Sequence, residues 1–447
     1  MDGLPVVVVG AGPIGLAAAA ELVERGQEPL VLERAERAGA GVLQWQHVRL
    51  FSRWAELVDP AARRLLESGG WRHPDEESYP TGGEWAERYL RPLAAALGER
   101  VRFGAEVVGV ARRGRDRVVD AGRESEPLTV HIRGASGVEE RLDARAVIDA
   151  SGTWGTPNPL GGDGLPALGE AASAERIAYS MPDLAEQSTR ERYAGRHVVV
   201  AGSGHSALTA LVAFDQLAAQ DPDTRITWLM RRGQIGEAFG GGTADQLPAR
   251  GALGQRARAA VEAGRIAVVT GFRTATVERD GQHRIALVST EGYRVEAVDE
   301  VVVLTGFRPD LSWLSEVRLS LDATLQAPTA LAPLIDPNVH SCGTVYPHGV
   351  AELSHPEPGL FLAGMKSYGR APTFLALTGY EQVRSIAAAL AGDQRSAERV
   401  ELVLPETGVC GGAGLFDAPT NEPAEAGGCC GASTEQDTAA LPAATVR

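Results

Sequence analysis

The sequence predicts an α/β fold built from two Rossmann-like βαβ units, and three observations support it. An apolar strand at residues 6–9 runs into the spacing G-x-G-x-x-G and then into an alanine-rich helix. A second apolar strand, at 197–201, runs into G-x-G-x-x-A and a helix at 208–217. A third, at 301–304, ends in the string T-G-F-R-P-D. Two such glycine loops in one chain indicate this fold far more specifically than either loop alone.

The first loop has the residues that a dinucleotide site requires. Gly10 permits the tight turn, Gly12 lets a pyrophosphate approach the backbone, and Gly15 lets helix and strand pack closely. Phosphates bind at the helix N-terminus, and Glu33, at the end of the next strand, is placed to accept ribose hydroxyls. The alternative is a tight βα turn in an α/β protein that binds no nucleotide.

The second loop carries Gly202, Gly204 and Ala207 at the corresponding positions. The strand that follows its helix ends in Arg231 and Arg232 instead of an acid. Because arginines suit a 2′-phosphate, this ending favours NADPH over NADH. The alternative is that they are ordinary surface arginines, since arginine is common in this chain.

Composition limits the classes of partner. The 447 residues carry a formal net charge of −15, which argues against nucleic acid or an anionic membrane as the main partner. No apolar run approaches the length of a membrane span, and the first one lacks the basic flank of a signal peptide. With only four cysteines, we expect a soluble protein of the reducing cytoplasm. Lys366 is the single lysine.

Between and after the loops, further elements are predicted. A helix is expected at 86–97, and strands at 101–103, 107–110, 128–132 and 146–150 suggest a small β-meander. We expect the chain to return to the first domain at 301–310, where its strand resembles the one at 146–150. One more strand leads to a glycine turn at Gly364 and a long helix at 378–390. From 405 onward, small and polar residues predict a disordered tail.

This pattern, over roughly residues 5–392, resembles the two-dinucleotide-binding-domain flavoproteins, which hold FAD in a discontinuous domain and NADPH in an inserted one. The resemblance implies an FAD-binding domain at 1–155 and 301–395, an NADPH-binding domain at 156–300, and a flexible cysteine-containing tail at 396–447. It also implies that the turn at Gly364 meets the flavin, with the next helix pointing its N-terminus at the ring. Where the family often has an acid after this glycine, Met365 and Lys366 stand here.

The positions that this resemblance assigns to the cofactors form two sets. For FAD they are Gly10, Gly12, Pro13, Ile14, Gly15, Glu33, Arg34, Gly364, Lys366 and Thr373. For NADPH they are Gly202, Ser203, Gly204, His205, Ser206, Ala207, Arg231 and Arg232. Lys366 is also a candidate catalytic residue that hydrogen-bonds the flavin or a substrate anion, against the alternative of a solvated surface lysine.

The cysteines bear on the chemistry. A disulfide reductase needs a redox cysteine pair near the flavin, but the first cysteine is Cys342, so ordinary disulfide reduction is not expected. A monooxygenase needs only a dry pocket and bound NADP, so the missing pair favours it. The F-x-G-x-x-x-H fingerprint of flavin-containing monooxygenases is absent, so the chain is not a typical member of that family. Cys342, followed by His348 and His355, is either a catalytic thiol or an incidental loop cysteine.

Three further cysteines, Cys410, Cys429 and Cys430, stand among glycines in the tail. They suit a thiophilic species such as trivalent arsenic, or a redox shuttle, unless they are incidental. The strings G-M-K-S-Y-G-R-A-P-T-F, L-P-E-T-G-V-C and C-C-G are similar to those of flavin-binding monooxygenases encoded in actinobacterial arsenic-resistance operons. That resemblance implies an FAD- and NADPH-dependent monooxygenase that uses oxygen and a small substrate, here a trivalent arsenical.

Two rival functions stay open. One is an NADPH-dependent thiol or metalloid reductase that uses the tail cysteines, and the other is a metalloid-binding flavoprotein with little turnover. A homodimer is compatible with each of these interpretations.

Overall fold

The computed structural model describes residues 3–240, 242, 245, 247–280, 284–339, 348–372 and 374–399. Its strands are β1 (Val6–Val9), β2 (Pro29–Leu32), β3 (Val101–Arg102), β4 (Ala105–Arg112), β5 (Leu128–Gly134), β6 (Glu139–Ala144), β7 (Ala146–Asp149), β8 (Ile177–Ala178), β9 (His197–Ala201), β10 (Arg225–Leu229), β11 (Ile266–Val269), β12 (Thr274–Arg279), β13 (Ile285–Ser289), β14 (Arg294–Val298), β15 (Glu300–Val303) and β16 (Leu360–Leu362).

The α-helices lie between and after these strands, with five of them in succession between β2 and β3. They are α1 (Pro13–Glu24), α2 (Ala40–Leu43), α3 (Trp54–Leu57), α4 (Pro60–Ser68), α5 (Gly82–Trp85), α6 (Arg91–Leu97), α7 (Gln187–Tyr193), α8 (His205–Gln220), α9 (Pro248–Glu262), α10 (Ala332–Ile335), α11 (Val350–Leu353), α12 (Ala376–Leu390) and α13 (Gln394–Glu398).

The first domain is built on a parallel sheet with the strand order β16-β7-β1-β2-β3. Its central strand is buried on both faces, as parallel sheets usually are. Val6 and Val8 pack into the core under α1 and α12, whereas Val7 and Val9 pack into the core under the antiparallel sheet β4-β5-β6. This alternation has the period of two that a strand imposes.

The second domain repeats the plan with the strand order β11-β10-β9-β15-β8, and all of its pairings are parallel. Val198 and Val200 pack toward α8 and α9, whereas Val199 and Ala201 pack toward the antiparallel sheet β12-β13-β14. The predicted α/β fold with two Rossmann-like domains is therefore confirmed.

Two details of the predicted organisation are wrong. The strand expected to return to the first domain is β15, and it pairs with β9 in the second domain, with Val301 beside Val199. The chain leaves the second domain only after this strand. The strands expected at 101–103 and 146–150 belong to the parallel sheet as β3 and β7, so the meander consists of β4, β5 and β6. Both errors arise because sheet partners are set by long-range packing.

The helical predictions need smaller changes. The expected helix at 86–97 is present as α5, a π-helical turn at Ala86–Leu90 and α6, and it ends at Gly98, whose φ is +59°. Residues 396–398, which the resemblance assigns to the flexible tail, are instead helical, because they belong to α13, which packs against α12. Among the described residues, no helix is long and apolar enough to cross a membrane.

Candidate functional site

The first glycine loop lies between β1 and α1, at the carboxyl edge of the first sheet. Gly10 has a φ of +100°, and a Cβ atom there would lie 3.0 Å from the carbonyl oxygen of Ala150. A Cβ atom on Gly15 would lie 1.9 Å from the carbonyl oxygen of Gly10, so both positions require glycine. Gly12, the N-cap of α1, has open space where its Cβ would be, and no described side chain caps the helix. Open space beside uncapped N–H groups fits a pyrophosphate.

Glu33 is held directly beside this loop. Its Oε2 atom accepts a 2.8 Å hydrogen bond from the Ala11 N–H, and its Oε1 atom accepts one of 2.8 Å from the Ala35 N–H. The half-buried carboxylate thus ties the glycine loop to the end of β2, and its other lone pairs suit hydroxyl donors. The exposed Arg34 lies beside Gly155, where a Cβ would be 3.4 Å from Nη2.

Ile14 connects the glycine loop with the predicted flavin end of the site. Cβ atoms built on Gly364 and on Gly379 of α12 would lie 3.1 Å from its Cγ1 and 2.4 Å from its Cδ1. The N–H of Gly364 donates to Oε1 of Gln382 at 2.8 Å, and Nε2 of Gln382 lies 2.8 Å from Nε2 of His348. Sequence reasoning missed Gln382, because a glutamine within a helix gives no signal of burial.

Lys366 is not a solvated surface residue. It lies in the short 3₁₀ helix Gly364–Tyr368 that follows β16, and it is 1% exposed. Its Nζ atom lies 2.7 Å from Oδ2 of Asp149 and 3.0 Å from Oγ of Ser151. The ring of Trp313 covers the ammonium at 4.7 Å. Asp149 ends β7, and neither it nor Trp313 was singled out in the sequence.

The second glycine loop repeats the geometry of the first. Gly202 has a φ of +131°, and a Cβ atom there would lie 2.4 Å from the carbonyl oxygen of Leu304. Gly204, the N-cap of α8, has open space at its Cβ position, and no described side chain caps this helix. Ala207 is buried in the core, and Trp228 of β10 donates from Nε1 to the Gly202 carbonyl at 2.7 Å. Trp228 was not predicted to support the loop.

His205 begins α8 and lies against the first domain. Its ring meets Phe51 edge to face, with 5.7 Å between the ring centroids. Burial, together with the nearby Arg250, lowers the pKa of His205 to about 4. The imidazole is therefore neutral at pH 7 and adds no charge to the loop, whereas Arg250 forms a buried ion pair with Asp245 at 2.7 Å. Phe51 is another contact that sequence reasoning missed.

The segment at residues 39–51 connects the two glycine loops. At one end, the Gly39 N–H donates to the carbonyl of Ala11 in the first loop at 2.9 Å. At the other end, Phe51 packs on the second loop through His205. Between them, Nδ1 of His47 lies 4.0 Å from Oδ2 of Asp183 in the second domain. One 13-residue segment therefore contacts both glycine loops.

Two linkers run antiparallel between the domains. The Arg308 N–H donates to the Thr156 carbonyl at 2.9 Å, and its Nε donates to Oδ1 of Asn158 at 2.8 Å. The rings of Trp154 and Phe307 stack across the linkers, with 4.6 Å between their centroids. These contacts fix how the second domain leaves and rejoins the first.

The remaining predicted NADPH contacts surround the second loop. Ser203 lies within the loop and Ser206 in the first turn of α8. Arg231 and Arg232 follow β10, as expected for residues beside an adenosine ribose. Arg231 is exposed, and its Nη1 donates to the Gly162 carbonyl at 3.2 Å. The assignment of Arg231 and Arg232 to a ligand phosphate stays a prediction.

Five predicted residues cannot be placed: Thr373, Cys342, Cys410, Cys429 and Cys430 lie outside the described residues. Within the described ranges, no three His, Cys, Asp or Glu side chains lie close enough together to hold a metal ion. The thiol hypotheses for Cys342 and for the tail therefore stay predictions.

Known proteins resemble this chain over most of its length. A model of the pyridine nucleotide-disulphide oxidoreductase family matches residues 7–333. Ferredoxin–NADP reductase of Ignicoccus hospitalis is 28% identical over 319 residues, which are 70% of this chain and 81% of that protein. Indole-3-pyruvate monooxygenase YUCCA1 of Oryza sativa subsp. japonica is 32% identical over 203 residues, which span 45% of this chain and only 43% of that protein.

Among solved structures, bacillithiol disulfide reductase Bdr (YpdA) from Bacillus cereus shares the fold. The TM-score is 0.64 at 20% sequence identity, and the match covers 87% of this chain and 99% of that one. The two glycine loops, each at the carboxyl edge of its own parallel sheet, agree with this likeness. The chain belongs to the pyridine nucleotide-disulphide oxidoreductase family, a family of FAD- and NAD(P)H-dependent oxidoreductases.

Proposed function

We propose that this protein is a flavin monooxygenase that takes electrons from NADPH through FAD to oxygen. One observation supports this pairing above all: the segment at 39–51 contacts both glycine loops, so it would connect the binding sites of two dinucleotides held there. When bound, FAD would supply the redox chemistry that links NADPH to oxygen, with the first glycine loop holding FAD and the second holding NADPH. In balance, NADPH, a proton, oxygen and the substrate give NADP⁺, water and a substrate that carries one added oxygen atom.

The preference for NADPH rests on Arg231 and Arg232. Removing a charge-assisted hydrogen bond costs about 1.5–3 kcal/mol, which is roughly a 10- to 150-fold loss of affinity. We therefore expect Arg231→Ala to raise the KM for NADPH at least tenfold and to leave the KM for NADH within about threefold. If both constants rise together, Arg231 supports the loop and does not recognise the 2′-phosphate.

The choice of oxygen as electron acceptor rests on the positions of the thiols. The first cysteine of the sequence is Cys342, so neither glycine-loop unit contains a cysteine pair. Relatives of the chain carry both kinds of name, monooxygenase and reductase, so kinship alone does not decide. A reductase would have to use cysteines at or beyond residue 342.

Isotope labelling tests the monooxygenase directly. The purified flavoprotein is supplied with NADPH, ¹⁸O₂ and a panel of small substrates, and product mass and released peroxide are measured. We expect a true substrate to gain one ¹⁸O atom and to lower the peroxide released per NADPH consumed. If NADPH consumption yields only peroxide with every substrate, or if the product oxygen comes from water, the proposal is wrong.

The first substrate class to test is a trivalent arsenical, which three tail cysteines would hold by thiolate coordination. Under this proposal, Cys429→Ser with Cys430→Ser raises the apparent KM for the arsenical and leaves kcat nearly unchanged. A reductase that uses these thiols would instead lose all turnover. Stoichiometric arsenite binding without sustained NADPH consumption would identify a binding protein.

A further inference from the structure

The single lysine of this chain lies in a closed polar cluster at the carboxyl edge of the first sheet. Lys366 contributes the ammonium, Asp149 the carboxylate and Ser151 the hydroxyl, and the indole of Trp313 closes the cluster. Lys366 and Asp149 are 1% and 0% exposed. The ammonium thus lies beside a carboxylate, a hydroxyl and an aromatic face.

Both carboxylate oxygens of Asp149 lie beside polar groups of the cluster. Its Oδ2 atom lies 2.7 Å from Nζ of Lys366, while its Oδ1 atom accepts from the hydroxyl of Ser151 at 2.6 Å and from the Ser151 N–H at 3.0 Å. The carboxylate therefore fixes the backbone that turns out of β7. Lys366 in turn neutralises a carboxylate that burial would otherwise penalise.

The backbone held by this cluster forms one wall of the first glycine loop. A Cβ atom on Gly10 would lie 3.0 Å from the carbonyl oxygen of Ala150 and 3.1 Å from Cα of Ser151. The Ala150 N–H donates to the Val9 carbonyl at 3.0 Å. A shift of this backbone would press directly on the turn that shapes the loop, because the turn has no spare space on that side.

We infer that Lys366 positions the FAD loop through Asp149 and Ser151, and that it does not itself contact flavin or substrate. Because Lys366 is only 1% exposed, its ammonium could reach a ligand only by moving out of the cluster, which would leave Asp149 uncompensated in a buried site. Lys366 comes from the second part of the discontinuous domain, and Asp149 and Ser151 come from the first. The lysine therefore also joins the two parts of the domain beside the first glycine loop.

The test measures the FAD dissociation constant of the apoprotein by quenching of flavin fluorescence, beside the melting temperature and the visible spectrum of bound flavin. Lys366→Met leaves Asp149 buried without its cation, and we expect FAD to bind at least tenfold more weakly. The double variant Lys366→Met with Asp149→Asn removes both charges and should restore the dissociation constant to within about threefold. Its flavin spectrum should match that of the wild type.

Arg112→Met is the matched control. It breaks another buried ion pair in the same domain, 2.6 Å between Nη2 of Arg112 and Oε1 of Glu357, away from the glycine loop. We expect it to lower the melting temperature while FAD affinity stays within about threefold. Loss of FAD affinity in Arg112→Met would show that general destabilisation accounts for the effect of Lys366→Met.

Other outcomes separate this inference from the proposed function on which it rests. If the wild-type protein binds no FAD, the proposed function fails. If it binds FAD and Lys366→Met binds equally well, only the inference fails. If the double variant is as weak as the single one and its flavin spectrum is shifted, Lys366 contacts the flavin directly, and the inference is overturned. If Lys366→Met does not fold, the FAD dissociation constant and the flavin spectrum of the double variant decide whether the inference holds.

Discussion

Alanine at each of the two N-cap glycines should weaken the binding of one dinucleotide without disturbing the fold. Gly12 has φ and ψ of −83° and −174°, and Gly204 has −86° and 176°, so any residue adopts either conformation. Apart from the adjoining backbone, no atom of the described residues lies within 4 Å of a Cβ built on either glycine. The space next to each Cβ position is the space that the two loops offer to a pyrophosphate.

The size of the effect follows from opposing terms. For the apoprotein, alanine is a poorer N-cap than glycine but restricts the unfolded chain, and both effects are below about 1 kcal/mol. For the ligand, a methyl group in a closely fitted contact costs about 1–3 kcal/mol, which weakens binding roughly 5- to 150-fold. We expect Gly12→Ala to weaken FAD binding by this factor and Gly204→Ala to weaken NADPH binding by the same factor.

Each variant is the control for the other. Fluorescence titration gives both dissociation constants, and thermal melting of the apoprotein reports the fold. Gly12→Ala should keep the wild-type affinity for NADPH, and Gly204→Ala that for FAD, with melting temperatures within a few degrees of the wild type. The reasoning is refuted if Gly12→Ala binds FAD with unchanged affinity, or if either substitution weakens both ligands equally.

Two further predictions concern stability. Glu357 is buried between Arg112 and Arg123; burial alone would raise its pKa, but hydrogen bonds from the two arginines lower it. Glu357→Leu should therefore reduce the free energy of unfolding, measured in urea, by about 3–5 kcal/mol. A reduction below about 1 kcal/mol would contradict the buried pairing. Burial lowers the pKa of His205 and of His355 to about 4, so between pH 6.5 and 4 the unfolded chain binds more protons than the folded one. The free energy of unfolding should therefore fall as the pH drops through this window, by at most about 3 kcal/mol per histidine, and His205→Asn should flatten the slope; an unchanged slope would contradict the burial of that ring.

The glycine loops could be predicted from the sequence because their requirements are local. Gly10 and Gly202 adopt backbone conformations that disfavour side chains, and Gly15 lacks room for one. The glycines needed for each turn are therefore visible in the sequence. The acid Glu33 also lies where its distance from the first glycine placed it. Its observed partners, the N–H groups of Ala11 and Ala35, show that it shapes the loop even before any ribose hydroxyl arrives.

The features that could not be predicted depend on contacts between distant segments. β7 and β15 have the same apolar pattern and similar glycine exits, yet one belongs to each sheet. Nothing local distinguishes them, because sheet membership is decided by which helices cover each face. Phe51 is a further case, since only the docking of the two domains brings its ring to His205.

The discontinuous domain explains why buried polar pairs join its two parts. The inserted domain separates these parts by more than 150 residues, so closing the first domain requires ordering a long loop, at an entropic cost. Apolar packing alone tolerates small shifts of register, whereas buried charges have few satisfactory partners. Two buried ion pairs, Arg112 with Glu357 and Asp149 with Lys366, each have one residue in the first part of the domain and one in the second. Because the second of these pairs also supports the first glycine loop, FAD should bind the closed domain selectively and stabilise it by mass action.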